Sequence, residues 1–397
     1  VSARDAHPNV QPVFVAGRWC EARSAAVRTI VNPATLKALD AVADCGALDV
    51  DAAVCAAAAA APPWGMLPAP DRRALLRDAG MRVRAQGEAL TAMLVRESGM
   101  PRPEARDSVE WTAACFDAPE SGSAVSGVVA VTAPAWFPLL HLARRVAPAL
   151  AAGSPVVCLA PAQNPLAHLL LARCLEDLPA GVFNLITGGV ETWNLLAQHP
   201  GVAQIPALPT LSIESIVIAG TADLEIAAAG VAWARLRHSG QDGNSIQRIF
   251  VENAVAAEFG TLLHEYVAFL EVADPARPDT DLGPLVSLEA VSRLEQQVGH
   301  ALQDGARLLV GGRRFQPWGL PGHFFQPTVL TDVRPDSAAA AALLQGPVVA
   351  IIPVVDSREA RRLAAGSAVH PPFETRRDWW FPYRERRHAS APVAPPP

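Results

Sequence analysis

The sequence predicts an α/β protein built on a doubly wound parallel sheet, followed by a second α/β unit. Three observations carry this reading. Residues 128–131, 156–159 and 182–186 are short apolar runs, each about the length of one buried strand. Two helical stretches separate them: 138–152, with an internal Pro148, and one opening at Asn164-Pro165, an N-cap followed by proline at the first helical position. Strand, helix, strand, helix, strand with short connections demands parallel strands and right-handed crossovers. Such sheets take ligands beyond the carboxyl ends of their strands, which here means residues 132–137, 160–163 and 187–189.

The flanking elements follow from local pattern. Residues 14–19 and 28–31 alternate apolar and polar and read as an early antiparallel pair, with Asn32-Pro33 as the closing turn. Asp49 or Asp51 caps an Ala-rich helix expected to end before Pro62-Pro63. A longer helix begins near Asp71, with Leu75, Leu76, Ala79 and Val83 on one face. The α/β alternation resumes with strands at 216–219, 249–251, 307–310 and 348–353. Helices are expected at 224–237, 257–269 and 288–304. The domains are read as residues 1–235, 236–366 and a C-terminal arm and tail at 367–397.

Composition excludes several classes. The 397 residues are too many for one compact core, and half of them are apolar while 18% are charged, as in a globular protein. No apolar run reaches the roughly 18 residues of a spanning helix. Residues 1–10 lack the basic-then-apolar order of a secretory signal. A net charge of −6 does not advertise a nucleic-acid or anionic-membrane surface. The six cysteines, Cys20, Cys45, Cys55, Cys115, Cys158 and Cys174, form no CxxC pair and read as reduced thiols of a cytoplasmic protein. No His, Cys and carboxylate spacing suggests a metal site.

Nine phrases in order then resemble the aldehyde dehydrogenase superfamily. They run from Phe14-Val15-Ala16-Gly17-Arg18-Trp19 and Asn32-Pro33-Ala34-Thr35, through Val146-Ala147-Pro148-Ala149-Leu150-Ala151-Ala152-Gly153 and Pro179-Ala180-Gly181-Val182-Phe183-Asn184, to Gly240-Gln241 with Arg248-Ile249-Phe250-Val251. Asp279-Thr280-Asp281-Leu282-Gly283-Pro284-Leu285, Gly305-Ala306-Arg307, Gln326-Pro327-Thr328-Val329-Leu330 and Gly346-Pro347-Val348 complete the series. The resemblance implies a dinucleotide-binding domain, a catalytic-type domain and an oligomerisation flap. It also implies NAD(P)-dependent aldehyde oxidation through a cysteine thiolate, an oxyanion-holding amide and a water-activating glutamate.

Each role can be checked against the residue present. The nucleophile position falls on Gly243 and the oxyanion amide on Trp136. The ribose-binding lysine falls at Ala160, and the water-activating glutamate lies nearest Pro209, in a stretch shorter than the family's by a helix-sized piece that would carry the phosphate loop. The pair gripping the second ribose falls on Leu343 and Gln345. Both domains thus read as truncated, with the flap after Phe116 and the last strands after Gly366 missing. Exposed edges would then call for a protein partner. Trp136 either plugs an unused cleft or gates a remodelled pocket. Residues 376–387 read as an arm packed on the body, with an RNA- or partner-docking segment as the alternative. His238, Ser239 and Asp242 are no hydrolase triad, because no GxSxG elbow exists. The expectation is a chain without catalytic or cofactor-binding residues intact, acting as an interaction or scaffold protein. The alternative is a weakened or repurposed NAD(P)-dependent aldehyde oxidoreductase.

Overall fold

The computed structural model describes residues 10–119, 127–206, 214–341 and 344–364. The chain divides into two compact units, Val1–Leu208 and Pro209–Pro397. The boundary therefore falls earlier than residue 235. The reason is hydrogen bonding: the strand Glu214–Ile218 pairs in parallel with Ile246–Glu252, so it and the helix after it belong to the second unit.

In the first unit the strands are β1 (Val10–Gln11), β2 (Val13–Val15), β3 (Arg18–Cys20), β4 (Val27–Val31) and β5 (Ala38–Ala43). Helices α1 (Ala47–Met66), α2 (Ala69–Ala85), α3 (Gly87–Ser98) and α4 (Arg102–Asp117) follow. The doubly wound part is β6 (Val128–Thr132), α5 (Pro138–Ala152), β7 (Val156–Ala160), α6 (Pro165–Arg173), β8 (Phe183–Thr187), α7 (Val190–Ala197) and β9 (Val202–Gln204). Its six-stranded sheet has the order β3-β2-β8-β7-β6-β9. The expected parallel core is present: Val129 pairs with Val156 and Val156 with Phe183, all nearly free of solvent contact.

Two local expectations are corrected. Residues 14–19 and 28–31 do not pair with each other. Ala16 (φ 54°) and Gly17 (φ 75°) form a two-residue turn with both φ values positive, which closes β2 on β3. β4 instead pairs with β5 in a separate sheet of order β1-β5-β4, and Asn32 joins those two, its Oδ1 accepting from Ala34 N at 2.8 Å. The Ala-rich helix α1 runs through Pro62 and Pro63 instead of stopping before them. Both prolines lie near its C-terminal end, where each lacks the N–H that would bond the carbonyl four residues back. Trp64 holds that turn in the core, its Nε1 donating to Leu150 O at 3.1 Å.

The helix α1 starts at Gly46, and Asp49 is its cap from inside the first turn. One carboxylate oxygen accepts from Gly46 N at 3.0 Å and Ser24 N at 3.2 Å, the other from Arg23 N at 2.6 Å. α2 buries Leu76, Ala79 and Val83 as its periodicity predicts, with Leu75 at the edge of the same core.

In the second unit, β10 (Glu214–Ile218), α8 (Leu224–Leu236), β11 (Ile246–Glu252), α9 (Ala256–Ala268), α10 (Leu288–Gln303), β12 (Arg307–Val310), β13 (Thr328–Thr331), α11 (Ala338–Ala341), β14 (Val348–Val354) and α12 (Ser357–Leu363) succeed one another. Their sheet has the order β10-β11-β14-β13-β12, and only β12 runs antiparallel to its neighbour. Residues 367–397, the expected arm and tail, lie outside the described residues. Among the described residues no helix is long and apolar enough to cross a membrane.

Asp49 satisfies three backbone donors while itself buried, so Asp49→Ala is expected to lower unfolding stability by about 2 kcal/mol. Denaturant unfolding of the two proteins at one pH checks this.

Candidate functional site

The carboxyl ends of β6, β7 and β8 bring residues 132–137, 160–163 and 187–189 to one edge of the first sheet. The strand order turns at β6, with β7 and β8 on one side and β9 on the other, so the switch point lies between β6 and β9. The loop after β6 carries Trp136. Its neighbour Phe137 is buried with a left-handed backbone, φ 42° and ψ 49°, a strained conformation for a bulky residue. The Phe137 ring lies 6.1 Å from Trp111, which helps to hold it. Trp136 is half-buried, edge-on to His141 at 6.3 Å. Its Nε1 is buried without an acceptor among the described residues.

Asn164 caps α6 by position only. Its side chain turns away, Nδ2 donating to Ala135 O at 2.8 Å and to Ser98 Oγ at 3.1 Å. The real cap comes from α3: Glu97, 1% exposed, accepts from Leu166 N at 2.6 Å and Ala167 N at 2.9 Å. Burial pushes the Glu97 carboxyl up to about 8, against the pull of those two N–H donors. One turn on, burial pulls the His168 imidazole down to about 4. Glu97, Ser98 and His168 carry no sequence motif. A carboxylate before a glycine turn gives no signal that it is buried. Ala160 ends β7, fully buried and paired with Thr187.

In the second unit, α8 ends at a turn, Arg237–Gly240, in which His238 (φ 49°) and Ser239 (φ 53°) are left-handed. Gly240 (φ 68°) packs so closely that an added Cβ would stand 2.0 Å from Gly346 O. Gln241 ties the loop down, its Oε1 accepting from Val286 N at 2.8 Å. Asp242 pairs with Arg237 at 2.6 Å and accepts from Asn244 N at 2.9 Å, forming the turn that presents a buried Gly243. Beneath it lies Arg235, without solvent contact, donating to Gly240 O at 3.0 Å, Ser245 Oγ at 3.3 Å and Leu344 O. Burial pulls its guanidinium down to about 10, partly offset by Asp242. Sequence periodicity could not assign Arg235 to the interior, since arginines are seldom fully buried. Gln345 is half-buried, its Oε1 accepting from Arg293 at 3.4 Å. Pro209 and Leu343 lie outside the described residues.

Strand order defines the class first: a two-unit α/β chain whose first sheet has the arrangement of a dinucleotide-binding half. The sequence model of the Aldehyde dehydrogenase family matches residues 19–123, 121–207 and 212–369, and the chain belongs to that family. A probable NADP(+) succinate-semialdehyde dehydrogenase of Sinorhizobium fredii is 32% identical, over 86% of this chain and 79% of that protein. The lactaldehyde dehydrogenase of Escherichia coli is 28% identical, over 87% of this chain and 81% of its own. A solved lactaldehyde dehydrogenase superposes with a TM-score of 0.85 at 27% identity, covering 90% of this chain and 84% of that one. A 3,6-anhydro-L-galactose dehydrogenase solved in complex with NAP gives 0.84 at 27% identity, covering 90% and 85%.

These matches correct the expectation of a non-catalytic scaffold protein. That expectation rested on single positions, whereas relatives named as dehydrogenases align along most of the chain. They favour the alternative, an NAD(P)-dependent aldehyde oxidoreductase. Against the grips that the resemblance implies, Ala160 has no donor for a ribose hydroxyl, Leu343 stands where that resemblance puts a glutamate, and Gln345 is bonded to Arg293.

Two buried groups set a pH dependence. The folded chain keeps the Glu97 proton to about pH 8, while the unfolded chain releases it near 4.5. Folded His168 stays neutral down to about 4, while the unfolded chain binds that proton near 6.5. Between 4.5 and 6.5 the two slopes oppose each other. From 6.5 to 8 Glu97 acts alone and the unfolded state binds fewer protons, so stability falls as pH rises, by about 2 kcal/mol. Urea unfolding at pH 6.5 and 8 should show that fall in the wild type and its loss in Glu97→Gln. In the second unit, Gly240→Ala should cost about 3 kcal/mol, since both its φ and the approach of Gly346 forbid a side chain. Thermal unfolding with calorimetry checks this.

Proposed function

We propose that the chain is a weakened NAD(P)-dependent aldehyde oxidoreductase that works without covalent capture of its substrate. The observation that carries this reading is the alignment of dehydrogenase-named relatives along most of the chain. A second observation sets the mechanism. The loop at Gly240-Gln241 keeps its register to Arg248, yet residue 243 offers no sulfur, so no thiohemiacetal or thioester forms there.

Three buried thiols do not replace it. Burial raises Cys45 to about 12, Cys174 to about 11, and Cys158 further, which leaves all three as inert thiols. What the chain's own residues contribute is position and dryness. Phe137 fixes the loop after β6, Asn164 and Glu97 brace that loop against α6, and Arg235 places a positive charge under the 240–245 loop. A dinucleotide, when bound, supplies the hydride acceptor of aldehyde oxidation. A chain without a lysine at 160 and a carboxylate at 343 holds a dinucleotide weakly. The six cysteines are free, and we place the protein in the reducing cytoplasm.

The test is aldehyde-dependent reduction of NAD or NADP by the purified chain, read from the absorbance of the reduced nicotinamide against a heat-denatured control. Turnover with at least one of lactaldehyde or succinate semialdehyde is expected, at rates well below an ordinary dehydrogenase. None with either dinucleotide removes the proposal. Pretreatment with iodoacetamide should change the rate by less than about twofold, because no reactive thiol takes part. Loss of activity on alkylation would restore a covalent mechanism.

A further inference from the structure

We propose that a cleft between helices α2, α3 and α4 binds a free aliphatic α-amino acid as its zwitterion. The cleft has a volume of about 610 Å³ and lies where the end of α2 and the start of α3 meet α4. Its α4 wall carries Pro103, Arg106, Asp107 and Glu110, whose spacing puts them on one helix face. None of its lining residues belongs to the loops after β6, β7 and β8, so it is a separate site from the sheet edge.

The first sign of a ligand is Thr91, 3% exposed and part of the cleft lining. A threonine inside a helix commonly donates to the carbonyl four residues back. Thr112 does so to Ser108 O at 2.7 Å, and Thr261 to Ala257 O at 3.0 Å. Thr91 makes no such bond, and its hydroxyl has no partner among the described residues. A buried hydroxyl that lines a cleft and bonds to nothing is available to what enters it. Water alone could answer a hydroxyl, but the charges beside it narrow the choice.

Most of those charges are already paired. Arg84 holds Glu110 and Asp117, each at 2.7 Å, and Glu88 holds Arg102. Arg106 and Asp107 remain, and neither makes an ion pair or a side-chain hydrogen bond among the described residues. Loss of water to the surrounding helices raises the Asp107 carboxyl above its ordinary value, with Arg106 acting the other way. A carboxylate so placed gains from a cation that donates hydrogen bonds. Arg106 and Asp107 are neighbours in the chain, so a ligand that meets both carries opposite charges close together. An α-amino acid holds them on one carbon. Its ammonium donates to Asp107 and its carboxylate accepts from Arg106, while the Thr91 hydroxyl can serve either end. An amine alone leaves Arg106 unanswered, and a carboxylic acid alone leaves Asp107 unanswered. The apolar lining, Pro103 and Val109, suits an aliphatic side chain.

The experiment titrates the full chain with ¹³C-labelled L-leucine, read by calorimetry and by the line width of the label. Isoamylamine and 4-methylpentanoate serve as probes that each lack one of leucine's two charges. Leucine should bind saturably, and about tenfold or more tighter than either probe. Arg106→Gln and Asp107→Asn, both at exposed positions and checked for a cooperative melt, should each weaken leucine about tenfold. Thr91→Val, which keeps the side chain's shape and removes the hydroxyl, should weaken it about threefold. No saturable binding of leucine overturns the site. So does isoamylamine binding as tightly as leucine, which would make the cleft a site for cations alone. Unchanged leucine affinity in Arg106→Gln or Asp107→Asn places the amino acid elsewhere and overturns it too. Binding here needs no aldehyde chemistry, so the presence or loss of dinucleotide reduction bears only on the proposed function.

Discussion

Parallel pairing of β6, β7 and β8 is the constraint on which the rest of the first unit depends. Strands covered on both faces cannot leave backbone N–H and C=O groups to water, so each must be matched by a neighbour in register. The ladder from Val129 through Val156 to Phe183 does this with residues almost wholly out of solvent. Because the strands run the same way, every loop leaving them emerges at one edge. Trp136, Ala160 and Asn164 share that edge as a consequence of topology, whatever their side chains can do there.

The polar groups behind that edge show how a helix terminus and a loop can be fixed by one element. Glu97 satisfies the first N–H groups of α6, and its neighbour Ser98 accepts from Asn164, which holds Ala135. A carboxylate at a helix N-terminus is favoured by the dipole and by two donors, yet burial outweighs both in setting its proton affinity. The result is a brace whose charge changes near neutral pH beside a loop held in a strained conformation.

The second unit solves a similar problem with the opposite charge. Arg235 holds Gly240, Ser245 and Leu344 together from inside, while Arg237 pairs with Asp242.

Much of this was legible in the residues alone. Apolar runs of strand length, Asn164-Pro165 at a helix start and the order of nine phrases determined the α/β class, the doubly wound sheet and the family, because periodicity and turn chemistry are local. The glycine at 243 was equally plain. What lay beyond reach depended on distant partners. The β2–β3 turn displaced the pairing expected for β4, Trp64 carried α1 through its prolines, and the second unit's sheet claimed β10. The burial of Glu97 and Arg235, and the unanswered indole N–H of Trp136, were decided only by packing. A side chain's partners are set by elements scores of residues away, and a sequence read in short windows does not contain them.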